Sequence, residues 1–299
     1  MLIPPRRIVL SGGGIRALAH LGALDVLEKR NLLKNVKEYV GVSAGAFVGF
    51  SICIGYTISE LRMLCSVFDF GLIRSVDPEA ALAFPTTFGF DTGENLIKLL
   101  YSLLRIKKIP LTMTFGEWKQ NHPEGPFLRC FATDLYKTQP REFSAEKTPT
   151  VSFVDALRAS MSLPGYFTPV KDPLSGNMLV DGGILHNFPL AFLPYAERQD
   201  ALGLSFSYDH TNVEEIPDLL TFFSQIFACY YIPRTNSLHQ QHPENCIVIP
   251  CGYIQAWNFE AAQEEREKIM ELGKVAAEEF LKAHATFQLH SKPIRRFSV

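Results

Sequence analysis

Close to its start the chain repeats one pattern twice: a short apolar run, a glycine-containing turn, then an apolar helix pattern. In the first copy, Ile8 to Leu10 runs into Ser11, Gly12, Gly13 and Gly14, and "IRALAHLGALDVLEKRNLL" follows with Leu18, Leu21, Leu24 and Leu27 at helical spacing. In the second, Tyr39 to Val42 passes through "GVSAGAF" into a buried helix over Ala44 to Ile54. Strands separated by helices cannot pair as hairpins, so the alternation predicts a parallel or mostly parallel sheet covered by helices.

Further along, 61–120 reads as interrupted helices and loops, with a helix over Asn95 to Leu104 started by Thr92. Phe127 to Ala132 reads as a third strand and "FVDALRASMSLPG" as a helix ending at Pro164. "NMLVDGG" is a fourth strand entering a turn, "ALGLSFS" a fifth, and Asn258 to Ala285 a long amphipathic terminal helix. Nothing resembling a linker, repeat or low-complexity segment divides the 299 residues, and 47% hydrophobic content is enough for one large core. The expectation is a single domain over 1–299, with the motifs within 8–195 and the terminal helix at about 258–285.

Composition removes several function classes. The net charge of -2, without a basic run longer than a pair, gives no footprint for nucleic acid. The longest apolar stretch, Ala46 to Tyr56, is about half of the ~20 residues a membrane span requires. With no export-signal pattern at the start, the expected location is the cytoplasm, peripherally at membranes. The cysteines form no CxxC pair; Cys246 and Cys251 have no ligand partners at metal spacing, so neither metal nor cofactor is expected.

Ser43 lies between Gly41 and Gly45 where a strand turns into a helix. That is the setting of a nucleophile elbow, and equally of a serine capping a helix beside packed glycines. An acyl-transfer serine needs N–H donors for the oxyanion; the loop Gly12, Gly13, Gly14, Ile15 and Arg16 offers a run of amides at a helix start. A dinucleotide loop competes for the same residues, but Ala17 replaces the third glycine of its fingerprint. Asp181 ends an apolar strand just before Gly182 and Gly183, a place for a carboxylate projecting into a cleft or for a plain turn.

Together these motifs resemble the patatin-like phospholipases, lipid acyl hydrolases that use a Ser-Asp dyad. "SGGGIRALAHLGAL" resembles the family's oxyanion motif, "GVSAGA" its elbow and "VDGGILHNFPL" its Asp-Gly-Gly motif with the following Asn-x-Pro. "CFATDLYKTQPREFS" and "ALRASMSLPGYFTPV" resemble the connecting segments, in the same order. Two positions depart: Ala17 stands where glycine is usual, and Ser11 where many members carry Asp.

The resemblance implies a three-layer α/β/α fold with a central mostly parallel sheet. It also implies Ser43 as nucleophile, Asp181 as base, and hydrolysis of phospholipid or lysophospholipid acyl esters through an acyl-enzyme, without metal. A non-lipid carboxylesterase or acyltransferase on the same dyad, or a non-catalytic lipid-binding regulator, are the alternatives. His186, five residues beyond Asp181, is the sharpest rival base, and is expected not to serve as one. The aromatic segments 84–90 and 222–233 are expected either to meet lipid or to be ordinary core.

Overall fold

The computed structural model describes residues 4–75, 78–208, 215–216, 219–252 and 254–290. Its strands are β1 (Arg7–Leu10), β2 (Glu38–Val42), β3 (Phe127–Asp134), β4 (Gln139–Phe143), β5 (Val170–Lys171), β6 (Met178–Asp181), β7 (Ala201–Phe206) and β8 (Cys246–Ile249). They form one sheet in the order β5-β6-β3-β2-β1-β7-β8, with β4 added to β3. The run β3-β2-β1-β7-β8 is parallel, whereas β4 and β6 meet β3 antiparallel, as β5 meets β6. The mostly parallel sheet expected from the alternation is present. β4 and β5 escaped the sequence because β5 is two residues long and β4 reads as a polar loop, "QPREF"; the short apolar β8, "CIVI", was also not identified.

Side chains alternate across the sheet, so each central strand feeds two cores. Ile8 and Leu10 of β1 enter a large core on one face, and Val9 enters a smaller one on the other. On β2, Tyr39 joins the first and Val40 and Val42 the second. Helices α1 (Leu18–Lys29), α2 (Ser43–Cys53) and α3 (Ile58–Val67) contribute to the large core. So do α5 (Glu94–Ile106), α6 (Phe115–Asn121), α7 (Phe153–Ser160) and the terminal α10 (Gln263–His290), while α4 (Pro78–Thr87) precedes α5. Phe188, Leu190 and Leu193 fill the small core, with Leu238 from α9 (Leu219–Gln241); the short α8 (Tyr195–Arg198) leads into β7. Helix, sheet and helix thus form three layers.

Two boundaries shift from the sequence reading. The start of α5 is Gly93, not Thr92: Gly93 is left-handed at φ 77°, and its N–H donates to Asp91 Oδ1 at 2.7 Å, so the aspartate stabilises the entry. Helix α7 stops at Ser160, well before Pro164, where the Ser162 hydroxyl donates to the Arg158 carbonyl at 2.7 Å and the Ser162 carbonyl accepts from Asp181 N–H instead of continuing the helix.

Helices α1 and α10 approach through paired glycines. A Cβ on Gly22 would overlap the Met270 carbonyl, and one on Gly273 would overlap that of Ala19. Ala gains helix propensity of roughly 0.5–1 kcal/mol over Gly. Forcing the two backbones apart costs about 1–3 kcal/mol. Both Gly22→Ala and Gly273→Ala are expected to lower the urea midpoint at unchanged m-value, a direction opposite to the propensity scale.

Candidate active site

The site forms where two strands end against one neighbour. β2 runs parallel to β3 and finishes with Val42 opposite Phe131, while β6 runs antiparallel and finishes with Asp181 opposite Ala132. Since β4 occupies the other edge of β3 over Cys130–Asp134, β2 and β6 share one edge and meet end to end. Ser43 follows directly from the end of β2 and Asp181 closes β6, which brings the Ser43 hydroxyl close enough to the Asp181 carboxyl to pull its pKa down.

Ser43 is left-handed at φ 51° and opens α2. Such a conformation costs a non-glycine residue about 1–3 kcal/mol and persists only where its surroundings enforce it. Gly41 and Gly45 make the turn possible: a Cβ on Gly41 would press on the Ala46 backbone, and one on Gly45 on the Leu10 and Ser11 carbonyls. Ser160 then locks it. Its hydroxyl accepts from Ser43 N–H at 3.0 Å and donates to Phe131 O at 2.7 Å, tying the elbow to β3 at the point of convergence.

Asp181 is held just as tightly. Its N–H donates to Ser162 O at 2.8 Å, its carbonyl accepts from Thr133 Oγ1 at 2.9 Å, and its Oδ1 accepts from Gly183 N at 2.7 Å. Gly182 lets the turn pass over the Phe131 carbonyl, and Gly183 fits beside Asn187. Burial pushes the Asp181 carboxyl up to about 6 against the pull of the nearby Ser43 hydroxyl and the Gly183 N–H. It is thus a stronger base than an exposed aspartate, close to neutral pH.

Of the five candidate amides in the glycine loop, three already donate within the protein. Gly12 N reaches Asn187 O at 2.9 Å, Ile15 N reaches Ala256 O at 2.9 Å, and Arg16 N reaches Gly13 O at 3.1 Å. Gly13 N and Gly14 N have no acceptor among the described residues. Gly14 is left-handed at φ 55°, with no room for a Cβ against the Ala256 carbonyl, and a Cβ on Gly13 would overlap the Phe206 ring. The Arg16 guanidinium does not face the elbow: it donates to Ile254 O at 2.6 Å and Gly252 O at 2.9 Å over the Tyr208 ring. Asn187 Nδ2 steadies the loop through Gly12 O at 2.8 Å and Tyr208 Oη at 2.9 Å.

His20 lies behind the loop, fully buried and stacked on Phe206, with Nε2 2.9 Å from Ser11 O; burial drops its pKa to about 4 and keeps it neutral. His186 sets its ring edge-on to Phe192, its pKa lowered by burial and by Arg234 and Arg198. His239 packs on Phe188, His242 follows α9, and His210 lies outside the described residues. Cys246 and Cys251 belong to the small and large cores respectively, and burial pushes both thiols up to about 12. Opposite faces of the sheet separate them, so they cannot share an ion. No described helix is long and apolar enough to cross a membrane.

Ser160, Ser162, Thr133 and Asn187 were not identified as site residues from the sequence. Each acts through a contact made by folding, and only their place in the quoted segments near Asp181 and α7 could have marked them.

The patatin-like phospholipase family model matches residues 8–193. A protein of Invertebrate iridescent virus 6, "Probable lipid hydrolase 463L", is 30% identical over 185 residues, covering 62% of this chain and 62% of its own length. The uncharacterised protein YqhO of Bacillus subtilis is 26% identical over 308 residues, covering 92% and 97%. VipD from Legionella pneumophila superposes with a TM-score of 0.59 at 18% identity, over 94% of this chain and 67% of that one; the likeness is one of fold.

Ser160→Ala would leave the buried Ser43 N–H and Phe131 O unpaired, a loss of about 1–3 kcal/mol for such groups. A lowered urea midpoint is expected. An unchanged midpoint would mean that the elbow is held by other contacts.

Proposed function

Because the chain belongs to the patatin-like phospholipase family, we propose that it is a serine acyl hydrolase of lipid esters working through Ser43 and Asp181. The observation that carries the reading is the convergence of β2 and β6 on one edge of β3, which sets the left-handed Ser43 beside the buried Asp181 carboxyl, raised to about 6. Ser43 Oγ attacks the ester carbonyl carbon as its proton passes to Asp181. The Gly13 and Gly14 amides, without an acceptor among the described residues, receive the negative charge on the carbonyl oxygen, two donors of the five expected. Collapse breaks the ester C–O bond, and the departing alcohol takes the proton from Asp181. Water then adds to the acyl-enzyme with Asp181 as base, and Ser43 regains its proton as the carboxylic acid leaves.

The family and the viral relative's name support lipid acyl esters as the substrate class, phospholipid or lysophospholipid among them. Since the chain spans 62% of that relative's length, its whole activity is carried over only as part of this proposal. The catalytic unit is read as one domain comprising the chain.

On a short p-nitrophenyl ester, Ser43→Ala and Asp181→Asn are each expected to abolish turnover. The double variant should be scarcely worse than either, since the pair acts as a unit. His186→Ala is expected to keep at least about a tenth of kcat, because removing a true base costs ~10²-fold or more. A folded His186→Ala protein with a hundredfold loss would transfer the base role to the imidazole.

Only the carboxylate form of Asp181 accepts a proton, so kcat/KM is expected to rise with pH through a midpoint near 6. Stability responds with the opposite sign. The folded pKa lies above the ordinary aspartate value of 3.8, so the native state holds the proton more tightly than the unfolded chain. The benefit is full below that ordinary value and is lost as pH rises through about 6. Asp181→Asn avoids the buried charge. Relative to wild type it should be stabler at pH 8 than at pH 4 by up to about 3 kcal/mol, measured by urea titration.

A further inference from the structure

The exposed face of α9 is the part of the surface that the site does not explain. From Leu219 to Pro233 the helix carries no ionisable residue other than Cys229 and two tyrosines, and its first formal charge is Arg234. Its inner face is committed. Phe223 presses on Gly165, Phe227 joins the cluster of Leu96, Leu163, Tyr166 and Phe167, and Tyr231 meets Tyr208 with ring centroids 5.3 Å apart. Its outer face is equally apolar. Leu219, Phe222, Ile226 and Tyr230 recur at helical spacing and are 44%, 46%, 48% and 40% exposed. A helix on a water-facing surface ordinarily turns polar residues outward, and one apolar all round is covered.

This face is continuous with the site. Helix α9 packs on the turn Gly182–Ile184, immediately after Asp181. The loop it grips at Gly165 leads on from Ser162, whose carbonyl holds the Asp181 N–H. On that same loop, Phe90 N and Asp91 N both donate to Tyr166 O, which brings in exposed Phe88 and, one helix turn and more before it on α4, exposed Leu82. At the end of the stripe the Arg234 guanidinium lies 3.6 Å over the Tyr230 ring, with no carboxylate partner among the described residues. An apolar stripe ending in an aromatic ring and a cation fits the step from acyl chains to phosphate head groups.

We infer that the outer face of α9 docks the protein on a neutral phospholipid surface, with Leu219, Phe222, Ile226 and Tyr230 entering the acyl boundary beside the mouth of the site. The stripe spans ~16 Å at 1.5 Å per residue, enough to lie flat in the interface. Glu215, exposed just ahead of the helix, disfavours anionic head groups, so burial of apolar surface supplies the affinity. The choice of a lipid surface over another protein rests on the acyl-hydrolase reading of the site. Docking and hydrolysis are therefore measured separately.

The test is flotation of the full-length Ser43→Ala protein with phosphatidylcholine vesicles, without turnover. That protein is expected to float, and adding Phe222→Ser with Ile226→Ser is expected to lower the partition coefficient about tenfold or more. Raising salt from about 0.1 to about 0.5 M should change it less than about twofold, because apolar burial is not screened. With Ser43 intact, the Phe222→Ser, Ile226→Ser protein should keep its rate on a soluble short-chain ester within about twofold, which shows an undamaged site. Failure of the Ser43→Ala protein to float, equal flotation of the triple variant, or a gel-filtration dimer that the double substitution dissociates would each overturn the docking. A wild type inert toward every ester would sink the hydrolase reading, while flotation would still decide whether α9 binds lipid.

Discussion

One edge of β3 receives two strands arriving from opposite directions, and the geometry of the site follows from that. β2 stops opposite Phe131 and β6 stops opposite Ala132, adjacent residues on the same strand. Hydrogen-bond register is a rigid ruler, and here it sets the distance between two chain ends nearly 140 positions apart in sequence. Neither Ser43 nor Asp181 is positioned by its own local segment alone. Each is placed by the ladder on β3, and Ser160 and Thr133 fix the residual freedom through Phe131 O and Asp181 O. Loops could not hold two side chains to this tolerance.

That placement opposes stability in two ways, and the surrounding structure offsets both. Ser43 takes a backbone conformation that disfavours a side chain, and Asp181 sits in an interior that disfavours its charge. Around them are fixed donors and small residues: Ser160 on the elbow, Gly183 on the carboxylate, Gly41 and Gly45 under the turn. The Gly183 N–H on Asp181 and the Ser43 hydroxyl nearby limit how far burial raises its pKa, leaving it at about 6. With fewer donors nearby burial would push its carboxyl further up; with more exposure it would fall back toward the ordinary aspartate range.

The sequence disclosed the parts of the fold whose signals are local. Repeated strand, glycine turn and helix announced the parallel sheet, and the apolar period of 269–281 announced the terminal helix. Antiparallel β4 and β5 left no comparable trace, because one reads as polar and the other is too short for a period to form. α9 was hidden for a different reason. Apolar on both faces, it lacks the alternation by which an amphipathic helix is recognised, and its aromatics read as either core or lipid contact. In the site, Ser43, Asp181 and the glycine loop were legible because turns demand particular residues. Ser160 and Asn187 were not, since their roles exist only as contacts across 117 and 175 positions.

Amide by amide, the glycine loop shows how far the site extends beyond the matched motif region. The family match ends at residue 193, yet the loop is shaped by Tyr208 and by the segment between β8 and α10. Ala256 O takes the Ile15 N–H, and Gly252 O and Ile254 O take the Arg16 side chain. By engaging Ile15, this segment sets the left-handed turn at Gly14, and among the described residues the Gly13 and Gly14 amides have no acceptor. Both glycines are partly exposed, so their amides face the space beside the elbow rather than the packed interior. The same segment is anchored by α10, whose Gly273 admits α1, the helix that begins at the end of the glycine loop. The C-terminal third therefore presses on the loop from both its ends, and the donor geometry belongs to the whole chain rather than to the motif that announces it.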